Sequence, residues 1–156
     1  MTSVGSRGAG GCVSLFAMTQ EQVPALQRWL EQYIAAHGAV AGTVHALAGD
    51  ALELAAAVNI PPRVVEVTRT IPRGKGMAGL AWERDRPVST CNLKTDESGD
   101  VRPGARAVDA SAAVAIPIHG PDGQLRGVVG IAFQGERDMD QSELDRLGEE
   151  AERAPL

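Results

Sequence analysis

Val23, Leu26, Leu30, Tyr33 and Ile34 recur at the three- and four-residue spacing of a single helix face. Thr19 and Gln22 before them have the form of a capping box, and Gly38 supplies a glycine stop. Pro24 falls early in this run, so the pattern predicts a helix start a few residues later. The period then changes to two. Residues 43–48 and 51–58 flank Gly49-Asp50, which predicts a tight hairpin. In its second arm Leu52, Leu54, Ala56 and Val58 alternate onto one face.

Residues 63–71 read two ways. Their β-branched side chains favour a strand, whereas Pro61-Pro62 ahead of them suit a helix start. Residues 76–84 predict a short helix and 87–92 a strand. A long polar connection, 94–109, follows; such loops are binding loops, lids or disordered. Residues 111–119 and 124–134 then form the clearest hairpin, joined across Gly120-Pro121-Asp122-Gly123. Ala112, Val114, Ile116 and Ile118 share a face of its first arm, and Leu125, Val129, Ile131 and Phe133 one of its second. The opposite faces are apolar but small: Ala113, Ala115, Val128, Gly130 and Ala132. A sheet apolar on both sides needs cover on both. A pair of helices should supply one cover and residues 61–109 the other. The last helix opens at Asp140 with Glu143 as capping partner, and carries a stripe of Leu144, Leu147 and Ala151.

Composition narrows the class. The 156 residues suffice for one domain with a real core, and 44% hydrophobic with 22% charged residues is ordinary for a globular chain. A net charge of −5 with scattered Lys and Arg gives no reason to expect nucleic acid or an anionic membrane as partner. No apolar run approaches the roughly 20 residues of a membrane span. Residues 1–18 read as a disordered leader and 19–154 as a single domain. Cys12 and Cys91 fit neither a metal spacing nor a disulfide framework, so no metal is expected and a cytoplasmic home is the simplest inference. Aromatic residues are only 3% of the chain, too few to stack bases or hold a large planar chromophore.

Gly74, Gly76 and Gly79 form a Gly-x-Gly-x-x-Gly run. A dinucleotide site would need that run between a strand and a helix in a parallel βαβ unit. Here Pro72-Arg73 interrupt the approach, and the surrounding pattern is of antiparallel hairpins. The run reads better as a tight turn that packs a short helix on the sheet.

The ordered set Ile71-Pro72-Arg73-Gly74-Lys75-Gly76-Met77-Ala78-Gly79, Arg86-Pro87-Val88, Ala115-Ile116-Pro117-Ile118, Asp122-Gly123, Gly127-Val128-Val129-Gly130-Ile131 and Asp140-Gln141-Ser142-Glu143-Leu144 resembles a GAF domain over residues 22–151. The resemblance implies an α+β fold related to PAS, with a central antiparallel sheet of five to six strands. It places the first and last helices on one face, and short helices with a variable loop on the other. That second face would enclose a pocket for a small polar ligand. Leu80, Trp82 and Val114 would form its walls, with Cys91 beside them, and Asn92, Asp96, Asp109 and Ser111 its polar contacts. Plainer roles compete: Asp109 and Ser111 as strand caps, Asp96 as a solvated loop charge, Cys91 as a buried structural thiol.

Departures from known GAF subfamilies sharpen this expectation. Asn92-Leu93-Lys94-Thr95-Asp96-Glu97 lacks the Phe and the spacing of cyclic-nucleotide binders. Neither cysteine precedes a His, as chromophore attachment requires. His45 and His119 lie on or beside strands, where core or surface roles outnumber haem ligation. No cofactor is therefore expected, and a non-catalytic sensory or regulatory module is the leading reading. One alternative is a thiol enzyme similar to free methionine-R-sulfoxide reductases, using Cys91, with Lys94 as the only basic residue close in sequence that could lower its thiol pKa. Another is a dimerisation domain with an empty pocket. In either regulatory case the module would act in trans or as a homodimer through Leu26, Trp29, Leu30, Tyr33, Leu144 and Leu147.

Overall fold

The structure, a computed structural model, describes residues 22–90 and 111–156. The leader, the polar connection 94–109 and the end of the strand expected at 87–92 lie outside the described residues, wholly or nearly so.

Helix α1 (Gln22–His37) buries Leu26, Leu30, Tyr33 and Ile34, the stripe its spacing predicts. Val23 on the same stripe is exposed. Pro24 does not delay the start. It is the third helical residue, where an N–H has no intrahelical acceptor to lose. Gly38 (φ +71°) stops the helix, and Ala39 N–H donates to Ile34 O at 3.0 Å, the six-to-one bond of a Schellman end.

Strands β1 (Ala41–Ala48) and β2 (Ala51–Val58) form the expected hairpin, with Ala48 opposite Ala51. Its face assignment differs from the prediction. The register slips between Val44, opposite Ala56, and His45, opposite Leu54. This bulge turns the strand over. Leu52 consequently packs beneath α3, whereas Ala56 and Val58 pack on the opposite side of the sheet. Alternation within one strand could not reveal an extra residue whose partner lies on another.

Residues 63–71 use both of their readings. Pro62 opens helix α2 (Pro62–Thr68), and Thr70–Pro72 is a three-residue edge strand, β3. Helix α3 (Gly76–Arg84) and strand β4 (Val88–Thr90) follow. β5 (Ala112–His119) and β6 (Leu125–Phe133) form the central hairpin. In α4 (Gln141–Ala151) the Asp140 carboxylate caps the first turn, accepting the Glu143 N–H at 2.9 Å. That bond, with one from the Ser142 hydroxyl, holds the Asp140 carboxyl below its ordinary range.

The sheet has six strands in the order β3-β2-β1-β6-β5-β4, each pairing antiparallel. On one face α1 and α4 cover a continuous core that includes Leu26, Leu30, Ile116, Val129, Ile131 and Leu147. Tyr33 ties the two helices by donating its hydroxyl to Leu147 O at 2.8 Å. The other face has two separate clusters. Ala41, Val64 and Ala132 lie by α2; Leu52, Ile71, Ala81, Val88, Ala115 and Val128 lie by α3.

Candidate functional site

A cavity of about 430 Å³ lies beside these two clusters, between the sheet and the α2–α3 cover. Its origin is in side-chain size. On the face of the sheet turned toward α2 and α3, β5 presents Ala113 and Ala115, and β6 presents Gly130 and Ala132. These four floor positions have at most one carbon beyond Cα, so no side chain rises to meet the helices. A Cβ added at Gly130 would make only ordinary contact, 3.5 Å from Thr43 Oγ1, so the floor there is open rather than filled by a neighbour. Ile60, Val64 and Val67 close one side, with Ile71 and Met77 toward the other. The described walls are thus mostly aliphatic; of the polar contacts expected from the sequence, Asn92, Asp96 and Asp109 lie outside the described residues.

Four polar residues with side-chain donors or acceptors interrupt those walls: Thr43, His45, Thr68 and Lys75. Lys75 is the one fully charged residue among them at neutral pH. Thr68 spends its hydroxyl on Val64 O at 2.7 Å, within its own helix. His45 is the most constrained. It is only 2% exposed, sits at the β1–β2 bulge, and has Nε2 2.7 Å from Thr68 O. A carbonyl can only accept, so Nε2 carries the ring proton. Nδ1 is buried, with no hydrogen-bond partner among the described residues. Burial lowers the His45 pKa, against smaller opposing effects of the Thr68 bond and the Glu53 charge, so the ring is neutral at pH 7.

The glycine run shapes the edge of this site. Gly74 has φ +81°, and its N–H donates to Gly79 O at 2.9 Å. A Cβ at Gly79 would stand 2.5 Å from Pro72 O. The glycines let the chain fold back on itself and start α3, whose Gly76, Met77 and Ala78 line the cavity. The described strand pairs include no parallel one on which a dinucleotide fold could be built.

The residues expected at the site are placed unevenly. Val114 lines the cavity, but its side chain belongs to the core under α1 and α4, so it contributes backbone. Leu80 and Trp82 pack from α3 onto the Leu52–Ala115 cluster and are not among the cavity walls. Arg73 also lies over the Trp82 ring at 5.7 Å. Ser111 extends the hairpin, its N–H donating to Phe133 O at 2.8 Å, and likewise stands off the wall. Cys91, Asn92, Asp96 and Asp109 lie outside the described residues. Sequence reasoning missed Thr43 and His45 as wall residues. The available signal was their place at alternate positions of β1, on the same side as the small faces of β5 and β6.

A second cleft, of similar volume, lies between β5, α4 and the end of α3. Charged residues such as Asp85, Arg86 and Glu149 share its lining with Pro87, Ile116, Pro117 and Leu144, and His119 Nε2 lies 2.6 Å from Asp85 Oδ1. Among the described residues no group of His, Cys, Asp and Glu is placed to hold a metal ion, and no helix is long and apolar enough to cross a membrane.

Comparison with known proteins gives a family match to the GAF domain over residues 23–154. Among solved structures, free methionine-R-sulfoxide reductase from Neisseria meningitidis, in complex with its substrate, superposes with a TM-score of 0.67 at 21% identity, covering 86% of this chain and 76% of that one. The GAF domain of a phosphoenolpyruvate-protein phosphotransferase from Coxiella burnetii gives 0.66 at 19% identity, covering 86% and 83%. A type II free methionine-R-sulfoxide reductase from Thermoplasma acidophilum gives 0.66 at 16% identity, covering 85% and 88%. At these identities the likeness is one of fold. No curated protein sequence gives a significant match.

Proposed function

The chain belongs to the GAF domain family, and from that premise we propose that it is a non-catalytic regulatory module whose ligand occupies the cavity between the sheet and helices α2 and α3. The observation that supports this reading is the cavity itself. Protein interiors pack with few voids larger than a water molecule, whereas about 430 Å³ lies within the range of small-molecule sites. Mostly aliphatic walls with a few polar groups are the usual composition of such sites. Among the described lining residues no nucleophile is paired with a base: the Thr68 hydroxyl is bonded to Val64 O and His45 Nε2 to Thr68 O. Asn92, Asp96 and Asp109 supply further polar contacts in this proposal, and the module acts in trans or as a homodimer.

A thermal-shift screen of small apolar and amphipathic molecules tests the reading. Hits should raise the melting temperature. Ala113→Leu, which puts three more carbons on the cavity floor, should abolish the shift while moving the unliganded melting temperature by no more than a few degrees. Asn92→Ala and Asp109→Ala should weaken it. A screen without hits, or hits indifferent to Ala113→Leu, would remove the cavity from the account.

A thiol reductase is the second reading. What favours it is that Cys91 directly follows Thr90, whose register partner Ala113 lines the cavity. Free methionine-R-sulfoxide reductases are among the structural neighbours that share this fold. Turnover of free methionine-R-sulfoxide coupled to NADPH oxidation, abolished by Cys91→Ser, would establish it; no turnover in the unaltered protein removes it.

A further inference from the structure

We propose that His119 is a proton-dependent clasp between helices α3 and α4. With a neutral ring it holds only Asp85, at the end of α3; with a protonated ring it also holds Glu152, at the end of α4. β5 pairs with β4 only over residues 113–115, so its last residues run past β4 at the edge of the sheet, beside the second cleft. His119 is the last residue of β5 and lines that cleft. Asp85 ends α3 in the left-handed conformation, φ +53°, which Asp adopts more readily than most residues. Its Oδ1 lies 2.6 Å from His119 Nε2. At the ring's other nitrogen, Nδ1, the C-cap residue of α4 approaches, with Glu152 Oε2 at 3.7 Å.

The two nitrogens make the second contact conditional. An ionised carboxylate only accepts, so a neutral ring bonded to Asp85 carries its proton on Nε2. Nδ1 then turns a lone pair toward Glu152, and nothing attracts the two. Protonation adds an N–H at Nδ1 and a full positive charge, so both carboxylates are attracted at once. Histidine is the side chain suited to such a change between pH 5 and 8. Among the described residues, the charged groups that share the cleft with the ring are Asp85 and Arg86, from the end of α3 and the turn after it, and Asp145, Glu149 and Glu152 from α4. On the hairpin of His119 itself, Arg126 is paired with Asp122 at 3.6 Å. Four carboxylates against one guanidinium leave the cleft negative. The first residues of α3, Gly76 to Ala78, wall the cavity on one face of the sheet, whereas α4 covers the other face. The clasp therefore joins the two faces at the sheet edge, and acid tightens it, whether or not the cavity holds a ligand.

Double-mutant cycles on urea unfolding at pH 5.5 and pH 8.5 test the clasp. One cycle combines His119→Ala with Glu152→Gln. The other combines His119→Ala with Asp85→Gly, since glycine keeps the left-handed φ without strain. Both carboxylates are mostly exposed, so each coupling is that of a solvent-screened pair. The His119–Glu152 coupling should be about threefold in the unfolding constant at pH 5.5 and absent at pH 8.5. The His119–Asp85 coupling should be present at both. His37 and His45 are unchanged at every corner of a cycle, so their own pH effects cancel. A His119–Glu152 coupling that is equal at the two pH values, or missing at pH 5.5, overturns the clasp. Should a variant not fold, 15N-labelled histidine in the unaltered protein decides. His119 should carry its proton on Nε2 at pH 8.5 and protons on both nitrogens at pH 5.5. A proton on Nδ1 at pH 8.5, or a ring still neutral at pH 5.5, overturns it.

Discussion

His45 lines the cavity and also bears on stability. In an unfolded chain its ring takes up a proton near pH 6.5, whereas burial holds it below that value in the fold. Between the two pKa values the unfolded state binds more protons, so stability rises with pH there. The contribution is fully present above about pH 6.5 and is lost as pH falls below it. The charges that bear on the ring are few: Glu53 favours protonation, as does the bond to the Thr68 carbonyl, and both are outweighed by burial. Urea unfolding at pH 7.5 and pH 5.5 should therefore show a larger loss of stability in the unaltered protein than in His45→Gln. Equal losses would mean that the ring is not the acid-sensitive group. Little of this was legible beforehand. A His in a short β-branched and alanine-rich strand reads as core or surface, and its environment depends on a bulge set by the pairing of β1 with β2 and on a carbonyl 23 residues away.

Elements whose signals are local were read well, and those that depend on distant pairing were not. The Asp140 cap, the Gly38 stop and both hairpin turns are chemistry within a few residues. The bulge in β2 and the split of residues 63–71 into α2 and β3 were decided by neighbours on other strands. The glycines make the same distinction quantitative. At Gly79 an added Cβ would lie 2.5 Å from the Pro72 backbone oxygen, so Gly79→Ala must displace main chain at the start of α3, costing about 2 kcal/mol or more. Gly148, at the start of the last turn of α4, has its nearest such neighbour at 4.0 Å, the Ile116 Cγ2 methyl. Gly148→Ala should stabilise by about 0.5–1 kcal/mol, since it fits the space and improves helix propensity. Denaturant midpoints for the two variants should move in opposite directions. A neutral Gly79→Ala would show that the turn has more slack than its geometry indicates.

The whole molecule divides its labour between the two faces of one sheet. Large aliphatic side chains from α1, α4 and the strands fill one side without interruption, and on the other, alanines and a glycine leave room under α2 and α3. The sequence displayed this asymmetry, since Val114, Ile116 and Ile118 alternate with Ala113 and Ala115, and Val129 and Ile131 with Gly130 and Ala132. What it could not display was that a cavity remains between the small face and helices α2 and α3, because its volume depends on how close those helices approach the sheet. The same asymmetry constrains association. Leu26, Leu30, Tyr33 and Leu147, expected at a dimer face, are buried within the single chain. Of the expected set only Trp29 and Leu144 keep partial exposure, Trp29 stacked on Tyr33 with ring centres 4.7 Å apart. A homodimer across α1 and α4 must therefore rest on these two and on the polar residues around them, a patch closer to a weak, reversible interface than to an obligate one. Sedimentation over a wide concentration range should show a monomer–dimer equilibrium that Trp29→Arg shifts to monomer, with the melting temperature changed by no more than a few degrees. A monomer at every concentration, or a dimer insensitive to Trp29→Arg, would remove this face as the proposed site of self-association.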